Sequence, residues 1–148
     1  MKRTVKAEIG TFLLESDGVS LVSAVLAQGR QERGQDSVLD SAADELSLYL
    51  KGRNEAFKTP LNPSGTAFQK KIWKAAAQIR YGNTLSYKQL SEKAGFPNAY
   101  RACGQALNRN PLLIFIPCHR ICSADGSLGG YAGGTGVKTA LLRLESEA

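Results

Sequence analysis

The chain contains one histidine, one tryptophan and one methionine. A single imidazole allows only one histidine-dependent site. With three scattered cysteines it does not match the ligand spacing of a tetrahedral zinc centre, so no metal is expected. Three cysteines are an odd number without framework spacing, which argues against a secreted disulfide scaffold. No apolar run is long enough to span a bilayer, so no membrane partner is expected. The N-terminal Met1-Lys2-Arg3-Thr4 leads into Val5-Lys6-Ala7-Glu8 and not into an apolar signal core. These absences point to a cytoplasmic chain.

Acidic residues are scarce in one part only. Residues 1–62 hold 8 Lys/Arg and 9 Asp/Glu, a net of −1. Residues 63–148 hold 11 Lys/Arg and only four acids, Glu92, Asp125, Glu145 and Glu147, a net of +7. The two nets sum to the +6 of the whole chain. Such asymmetry fits a part that faces a polyanion, nucleic acid foremost; a solvated basic surface is the alternative.

At 148 residues and 43% hydrophobic, the chain has enough apolar material for one packed domain with a small appendage. The pattern predicts an α+β fold. The first region covers 1–58. There Val5–Leu14 and Val19–Leu26 read as strands meeting at an Asp17-Gly18 hairpin signal. Residues 29–37 read as a loop, and Ser41–Leu50 as a helix with Ala42, Leu46 and Leu50 on one face and Gly52 after it. A connector dense in turn residues covers 59–65.

The second region, 66–148, is mainly helical. Thr66-Ala67-Phe68-Gln69 has capping-box spacing, and Phe68, Ile72, Ala75, Ala76 and Ile79 share one helical face ahead of Gly82. Ser86-Tyr87-Lys88-Gln89 repeats that spacing and opens a short helix ending at Gly95. Asn98 is the expected cap of a further helix, Ala99–Asn108. These two helices and their Gly-Phe-Pro turn have winged helix-turn-helix-like proportions. Ala102, Cys103, Gly104 and Ala106 give the second one a small surface, with Arg101 opposite. That suits either tight helix packing or close approach to a DNA groove.

Leu112-Leu113-Ile114-Phe115-Ile116 then reads as a buried strand. Pro117 breaks it, and Cys118 and His119 follow. Gly126–Gly136 is a loop with six glycines. A final helix, Val137–Leu144, places Val137, Ala140, Leu141 and Leu144 on one face.

A thiol beside the only imidazole is a candidate nucleophile. An unperturbed cysteine is only about 3% thiolate at neutral pH and needs a base, a cation or a helix N-terminus. Neighbouring strand residues point to opposite faces, so direct Cys118–His119 contact needs a turn, and a water bridge serves equally. The histidine needs an orienting carboxylate. Spacing alone does not choose among the four acids beyond residue 62. A buried structural cysteine is the competing account of Cys118, and packing is the account of Cys103 and Cys122.

Ile116-Pro117-Cys118-His119-Arg120-Ile121 resembles the active-site motif of the O6-alkylguanine-DNA alkyltransferases, also called methylated-DNA–protein-cysteine methyltransferases. Gly65-Thr66-Ala67-Phe68-Gln69, Tyr81-Gly82, Ser86-Tyr87, Arg101-Ala102, Asn110-Pro111, Gly129-Gly130-Tyr131-Ala132-Gly133-Gly134 and Leu141-Leu142-Arg143-Leu144-Glu145 resemble further family landmarks in the family's order. The likeness runs through about residues 60–146, and region 1–58 fits the family's strand-rich appendage only loosely.

The resemblance implies that 66–148 is a DNA-binding and alkyltransferase domain. Its partner is double-stranded DNA carrying O6-alkylguanine, flipped out of the duplex. Cys118 is then the alkyl acceptor. His119 is the base acting through a water, with Glu145 orienting it. Asn110 ties the turn around the nucleophile, and Tyr87 contacts the flipped nucleotide and donates to it. Arg101 fills the gap in the base stack, with Lys88, Tyr100 and Ala102 beside it on the DNA-facing side. Tyr131, Gly130, Ala132 and Pro117 line the pocket, and Arg120 is structural. The implied protein is a monomer that uses no cofactor, acts once and associates with the nucleoid.

This sequence departs from the family pattern at several places. Phe96 stands where Asn is frequent, Lys88 where Gln is common, and Tyr100 where a small residue is usual. Ala132 lacks a hydroxyl that some relatives offer to the guanine O6, leaving backbone N–H groups to stabilise the leaving group. The alternatives are a lesion-binding relative, which would lack the cysteine; a winged-helix regulator, with Cys118 only in the core; and a Cys–His hydrolase, which would turn over.

Overall fold

Gly10 divides the first strand-forming stretch in two. The computed structural model describes residues 1–27, 29, 31–123, 125 and 129–146. In it β1 is Lys2–Ala7, β2 is Gly10–Ser16 and β3 is Leu21–Leu26, forming an antiparallel sheet in the order β1-β2-β3. The single strand expected over Val5–Leu14 is therefore a hairpin, with Ala7 paired to Gly10 across Glu8-Ile9. Gly10 has φ +146, and a Cβ there would lie 2.9 Å from Leu26 Cδ2, so the turn and the packing both require glycine. The β2–β3 hairpin does turn at Asp17-Gly18. Asp17 Oδ1 accepts from the amides of Ser20 (2.7 Å) and Val19 (2.9 Å), which holds its carboxyl below the usual range.

The chain divides into two units, Met1–Ser64 and Gly65–Ala148. In the first, α1 (Ser37–Leu50) covers the sheet. It starts four residues earlier than its expected first residue, Ser41, because Asp36 Oδ1 caps it by accepting from Leu39 N at 2.7 Å. Its innermost residues are Leu39, Ala42, Leu46 and Tyr49, with Tyr49 in the place expected for Leu50. Fully buried Phe12, Leu14, Leu21 and Ala24 come from the strands. Each of the large members of this set contributes about 1.5–3 kcal/mol by leaving water.

The second unit begins with α2 (Ala67–Ala77), whose Thr66–Gln69 capping box is complete. Ile72, Ala75, Ala76 and Ile79 are buried, and Trp73 joins them and donates Nε1–H to Ala106 O at 2.8 Å. That bond fixes α2 against α4 (Tyr100–Asn108). Helix α3 (Tyr87–Lys93) carries the second complete capping box, Ser86–Gln89, and ends at Gly95 with φ +93. Phe68 meets Phe96 edge-on, 4.9 Å between ring centres. Asn98 does not cap α4: Ala99 takes that place, without a side-chain bond.

Two further expectations change. Leu112–Ile116 is not a strand. It is a tight buried turn, closed by Ile116 N–H to Leu112 O at 2.9 Å, with Ile114 at φ +73. Five apolar residues in a row do not by themselves distinguish a strand from any other fully buried segment. After it, Pro117 (φ −79, ψ 62) makes an inverse γ-turn, with Cys118 N–H donating to Ile116 O at 2.7 Å. Cys118–Arg120 is a single 3₁₀ turn, and β5 (Ile121–Cys122) pairs in parallel with β4 (Leu85–Ser86). This short ladder fixes the start of α3 beside the residues that follow Cys118.

The last helix, α5, spans Thr135–Ser146. Its buried face is Lys138, Leu141 and Glu145, whereas Val137, Ala140 and Leu144 are only half-buried. Residues 126–128 of the expected glycine loop lie outside the described residues. Among the described residues, five α-helices with a three-stranded antiparallel sheet and the short β4–β5 ladder make the fold α+β.

Candidate active site

Cys118 sits at the head of the 3₁₀ turn, 3% exposed. Asn110, two residues past the end of α4, organises its surroundings with one side chain. Its Nδ2 donates to Ile116 O (2.9 Å) and to Cys118 Sγ (3.1 Å), and its Oδ1 accepts from Leu112 N (2.9 Å). The amide thus takes the part that a neighbouring strand would play for this apolar segment. It also holds Ile114 in a left-handed conformation that β-branched residues avoid.

The 3₁₀ turn sends the next two side chains toward α5. His119 Nε2 lies 2.6 Å from Glu145 Oε2. Arg120 donates Nε–H to Glu145 Oε1 (2.8 Å) and Nη2–H to Oε2 (3.0 Å), and Gly82 N–H donates to Oε1 (3.1 Å). Arg120 Nη1 donates to Ile79 O at 2.6 Å, and its guanidinium lies 5.7 Å from the Tyr81 ring centre. Arg120 Nε, Arg120 Nη2 and the Gly82 amide can only donate to the Glu145 carboxylate, and they reach both of its oxygens. A proton on Glu145 has no place in this set, so His119 Nε2 carries the hydrogen and the lone pair of the neutral ring is on Nδ1.

Electrostatics agree on a neutral resting state. Burial pushes the Cys118 thiol up to about 11, opposed by the Asn110 hydrogen bond and by the Lys138 charge. Only about 1 in 10⁴ such thiols is ionised at pH 7. Burial lowers His119 below its usual 6.5, with Glu145 pulling the other way. An imidazole neutral at pH 7 is therefore available as a base for the thiol proton.

Tyr131 is buried next to this group, its ring perpendicular to that of His119 at 6.4 Å, and its hydroxyl is pushed to a high pKa by burial. Pro117 is buried with it, whereas Gly130 and Ala132 are exposed. Tyr87, half-buried at the start of α3, reaches Gly130 O with its hydroxyl at 3.5 Å. Burial raises the Tyr87 pKa, so this hydroxyl remains a donor at neutral pH. Lys88, Tyr100, Arg101 and Ala102 are all exposed.

A family model described as "6-O-methylguanine DNA methyltransferase, DNA binding domain" matches residues 67–147. The chain belongs to the O6-methylguanine-DNA methyltransferase family. A methylated-DNA–protein-cysteine methyltransferase of Methanosarcina acetivorans is 38% identical over 95% of this chain and 94% of its own. The equivalent protein of Methanosarcina barkeri is 51% identical over 70% of this chain and 66% of its own. The crystal structure of the Mycobacterium tuberculosis protein in complex with DNA is similar with a TM-score of 0.89 and 37% identity, covering 99% of this chain and 92% of that one.

The fold brings Cys118, Asn110, His119 and Glu145 into one buried group, and Glu145 is the acid that meets the histidine. Tyr87 and Tyr131 flank that group from α3 and the glycine-rich loop. Lys138 went unnoticed in the sequence. It is fully buried on α5, donating Nζ–H to Ile121 O and, across 3.2 Å, to Gly130 O, and so ties β5 to the loop. Its signal was its spacing: Lys138, Leu141 and Glu145 recur at helical intervals, but two of the three are charged. Arg120, assigned a structural part, is the residue that holds Glu145 in place.

Proposed function

We propose that this chain repairs DNA by taking the alkyl group of an O6-alkylguanine onto Cys118, once per molecule. The observation that carries the proposal is the buried thiol, hydrogen-bonded by Asn110, next to an imidazole whose tautomer is set by Glu145. Membership of the family supports the substrate. The lesion base is extruded from the duplex into the site, at a cost of a few kcal/mol that is smaller for a poorly paired base. His119 Nδ1, through a water, takes the thiol proton. The sulfur attacks the alkyl carbon in line, the S–C bond forms as the C–O6 bond breaks, and guanine leaves with the electron pair. The Tyr87 hydroxyl donates to the base as negative charge develops on it. The product is a thioether, which thiol exchange does not reopen, so the protein is consumed.

Tyr131 and Pro117 form the inner wall of the pocket, and Gly130 and Ala132 its rim, where the backbone N–H groups serve the guanine O6. Arg101 enters the stack from α4 as the wedge. Lys88, Tyr100 and Ala102 complete the DNA-facing surface. Affinity comes from the phosphate charge, suited to a protein that scans any sequence. The protein acts as a monomer, in the cytoplasm on the nucleoid, and its DNA-binding and transfer functions belong to residues 66–148.

Incubation with O6-methylguanine duplex, followed by intact and peptide mass spectrometry, tests this function. A gain of one CH₂ confined to the Cys118 peptide is expected, absent in Cys118→Ala, which still binds DNA. Tight binding at unchanged mass would instead identify a DNA-binding regulator.

A further inference from the structure

Four large apolar side chains are exposed among the described residues, and Tyr100, at 50%, is the one aromatic. It is the first residue of α4, next to exposed Arg101. The core-facing side of that helix is Cys103, Ala106 and Leu107, so folding does not account for the Tyr100 ring. Residues four apart share a helical face, which places Tyr100 one turn from Gly104. Gly104 in turn faces Tyr87: a Cβ built on it would lie 3.7 Å from the Tyr87 ring. Tyr100 therefore stands on the flank of α4 that leads from Arg101 to Tyr87. Next to Arg101 on the other side is Ala102, too small to obstruct close approach. The surrounding unit carries the chain's positive excess, and the cations Arg101 and Lys88 are exposed, which suits a phosphate-backbone partner.

We propose that Tyr100 is a second stacking residue of lesion extrusion. While Arg101 occupies the vacated slot, the Tyr100 ring stacks on a base face laid bare beside it. Every base offers a π-face, so such a contact suits a protein that does not read sequence. The inference rests on the alkyl-transfer function proposed for Cys118 and adds a determinant of its duplex specificity.

Quench-flow measurement of methyl transfer tests it, with O6-methylguanine duplex and free O6-methylguanine base as parallel substrates. Tyr100→Ala is expected to slow transfer from duplex about tenfold. Tyr100→Phe should match the wild type, because the ring and not the hydroxyl makes the contact. Arg101→Ala/Tyr100→Ala should be slower than Arg101→Ala alone. With 2-aminopurine beside the lesion, the wild-type complex should be more quenched than that of Tyr100→Ala. Transfer from the free base needs no extrusion and should be the same in the wild type and all four variants; it reports separately on Cys118. The proposal is overturned if Tyr100→Ala repairs duplex as fast as the wild type, if Tyr100→Phe falls as far as Tyr100→Ala, or if the free-base reaction falls in parallel.

Discussion

Glu145 meets His119 Nε2 across 2.6 Å while its two oxygens also take Arg120 Nε and Nη2 and the Gly82 amide. One carboxylate thereby sets the imidazole tautomer, neutralises a buried guanidinium and anchors the turn after α2. Glu145→Gln keeps the shape but replaces an acceptor oxygen with an NH₂ that faces donors. Methyl transfer should fall about 100-fold, as for the loss of other orienting partners of a histidine. Urea unfolding should show a loss of about 3–5 kcal/mol, the usual result of leaving a buried charge unpaired. A variant within threefold of wild-type rate would refute the orienting role.

The pH dependence has a definite sign. Burial lowers His119 below 6.5, so the base form prevails at neutral pH and is lost only under more acidic conditions. The transfer rate should be flat near pH 7 and drop at a pH below 6.5. Stability should move the same way. The unfolded chain binds a proton at His119 before the folded one does, so the contribution of His119 is complete above 6.5 and is lost as pH falls through its folded value. At the alkaline end, burial raises both Cys118 and Cys103 to about 11 from 9. The unfolded thiols ionise first, so stability should fall as pH rises from 9 to 11. Unfolding midpoints across both windows, with Cys103→Ala to separate the thiols, check each slope.

What could be read without coordinates was whatever is settled locally. The Thr66–Gln69 and Ser86–Gln89 capping boxes each need four residues in a row, and both form. Asp17-Gly18 likewise carries its own turn chemistry. The turn at Leu112–Ile116 has no such local mark: its backbone is satisfied by Asn110, and an isoleucine adopts φ +73 inside it. Tertiary bonds override the strand propensity of the run. The face of α5 was hidden for a related reason. Hydrophobic periodicity favours Val137, Ala140 and Leu144, but the site needs a cation and an anion inside, and Lys138 and Glu145 turn inward. Spacing left four acids open as the partner of His119; the family resemblance pointed to Glu145, and the fold puts that carboxylate 2.6 Å from the imidazole.

Asn110 is the member of the site whose loss should cost the most per atom. Asn110→Ala removes three hydrogen bonds, leaving Leu112 N and Cys118 Sγ without these partners inside the protein and Ile116 O without one of its donors. A buried polar group stripped of its partner costs about 1–3 kcal/mol. The strained Ile114 conformation also loses the clamp that maintains it. Destabilisation of roughly 3–5 kcal/mol is expected, together with a Cys118 thiol that ionises at higher pH, since the Asn110 bond lowers its pKa. Denaturant unfolding and the pH dependence of thiol alkylation measure the two effects. An unchanged thiol titration would remove Asn110 from thiolate stabilisation and leave it a purely structural residue.

Gly129 and Tyr87 should prove to be energetically coupled. Gly129 has φ +69, and a Cβ there would lie 2.5 Å from the Tyr87 hydroxyl and 3.0 Å from Cε2 of the same ring. Gly129→Ala must then displace either the loop or the tyrosine. The next residue, Gly130, offers the carbonyl that accepts from both Tyr87 and Lys138, so a loop shift would disturb both contacts. A displacement of about 1 Å near reacting groups can lower a rate about 100-fold, and a fall of that order in duplex repair is expected. The left-handed backbone adds about 1 kcal/mol of instability for any alanine at this position. Tyr87→Phe removes the atom that clashes first. Gly129→Ala should therefore lower the rate by a smaller factor in the Tyr87→Phe background than in the wild type, a coupling that a double-mutant cycle on the transfer rate measures directly. Strictly additive effects would mean that the loop yields without moving Tyr87, and that the glycine is needed for its backbone angle alone.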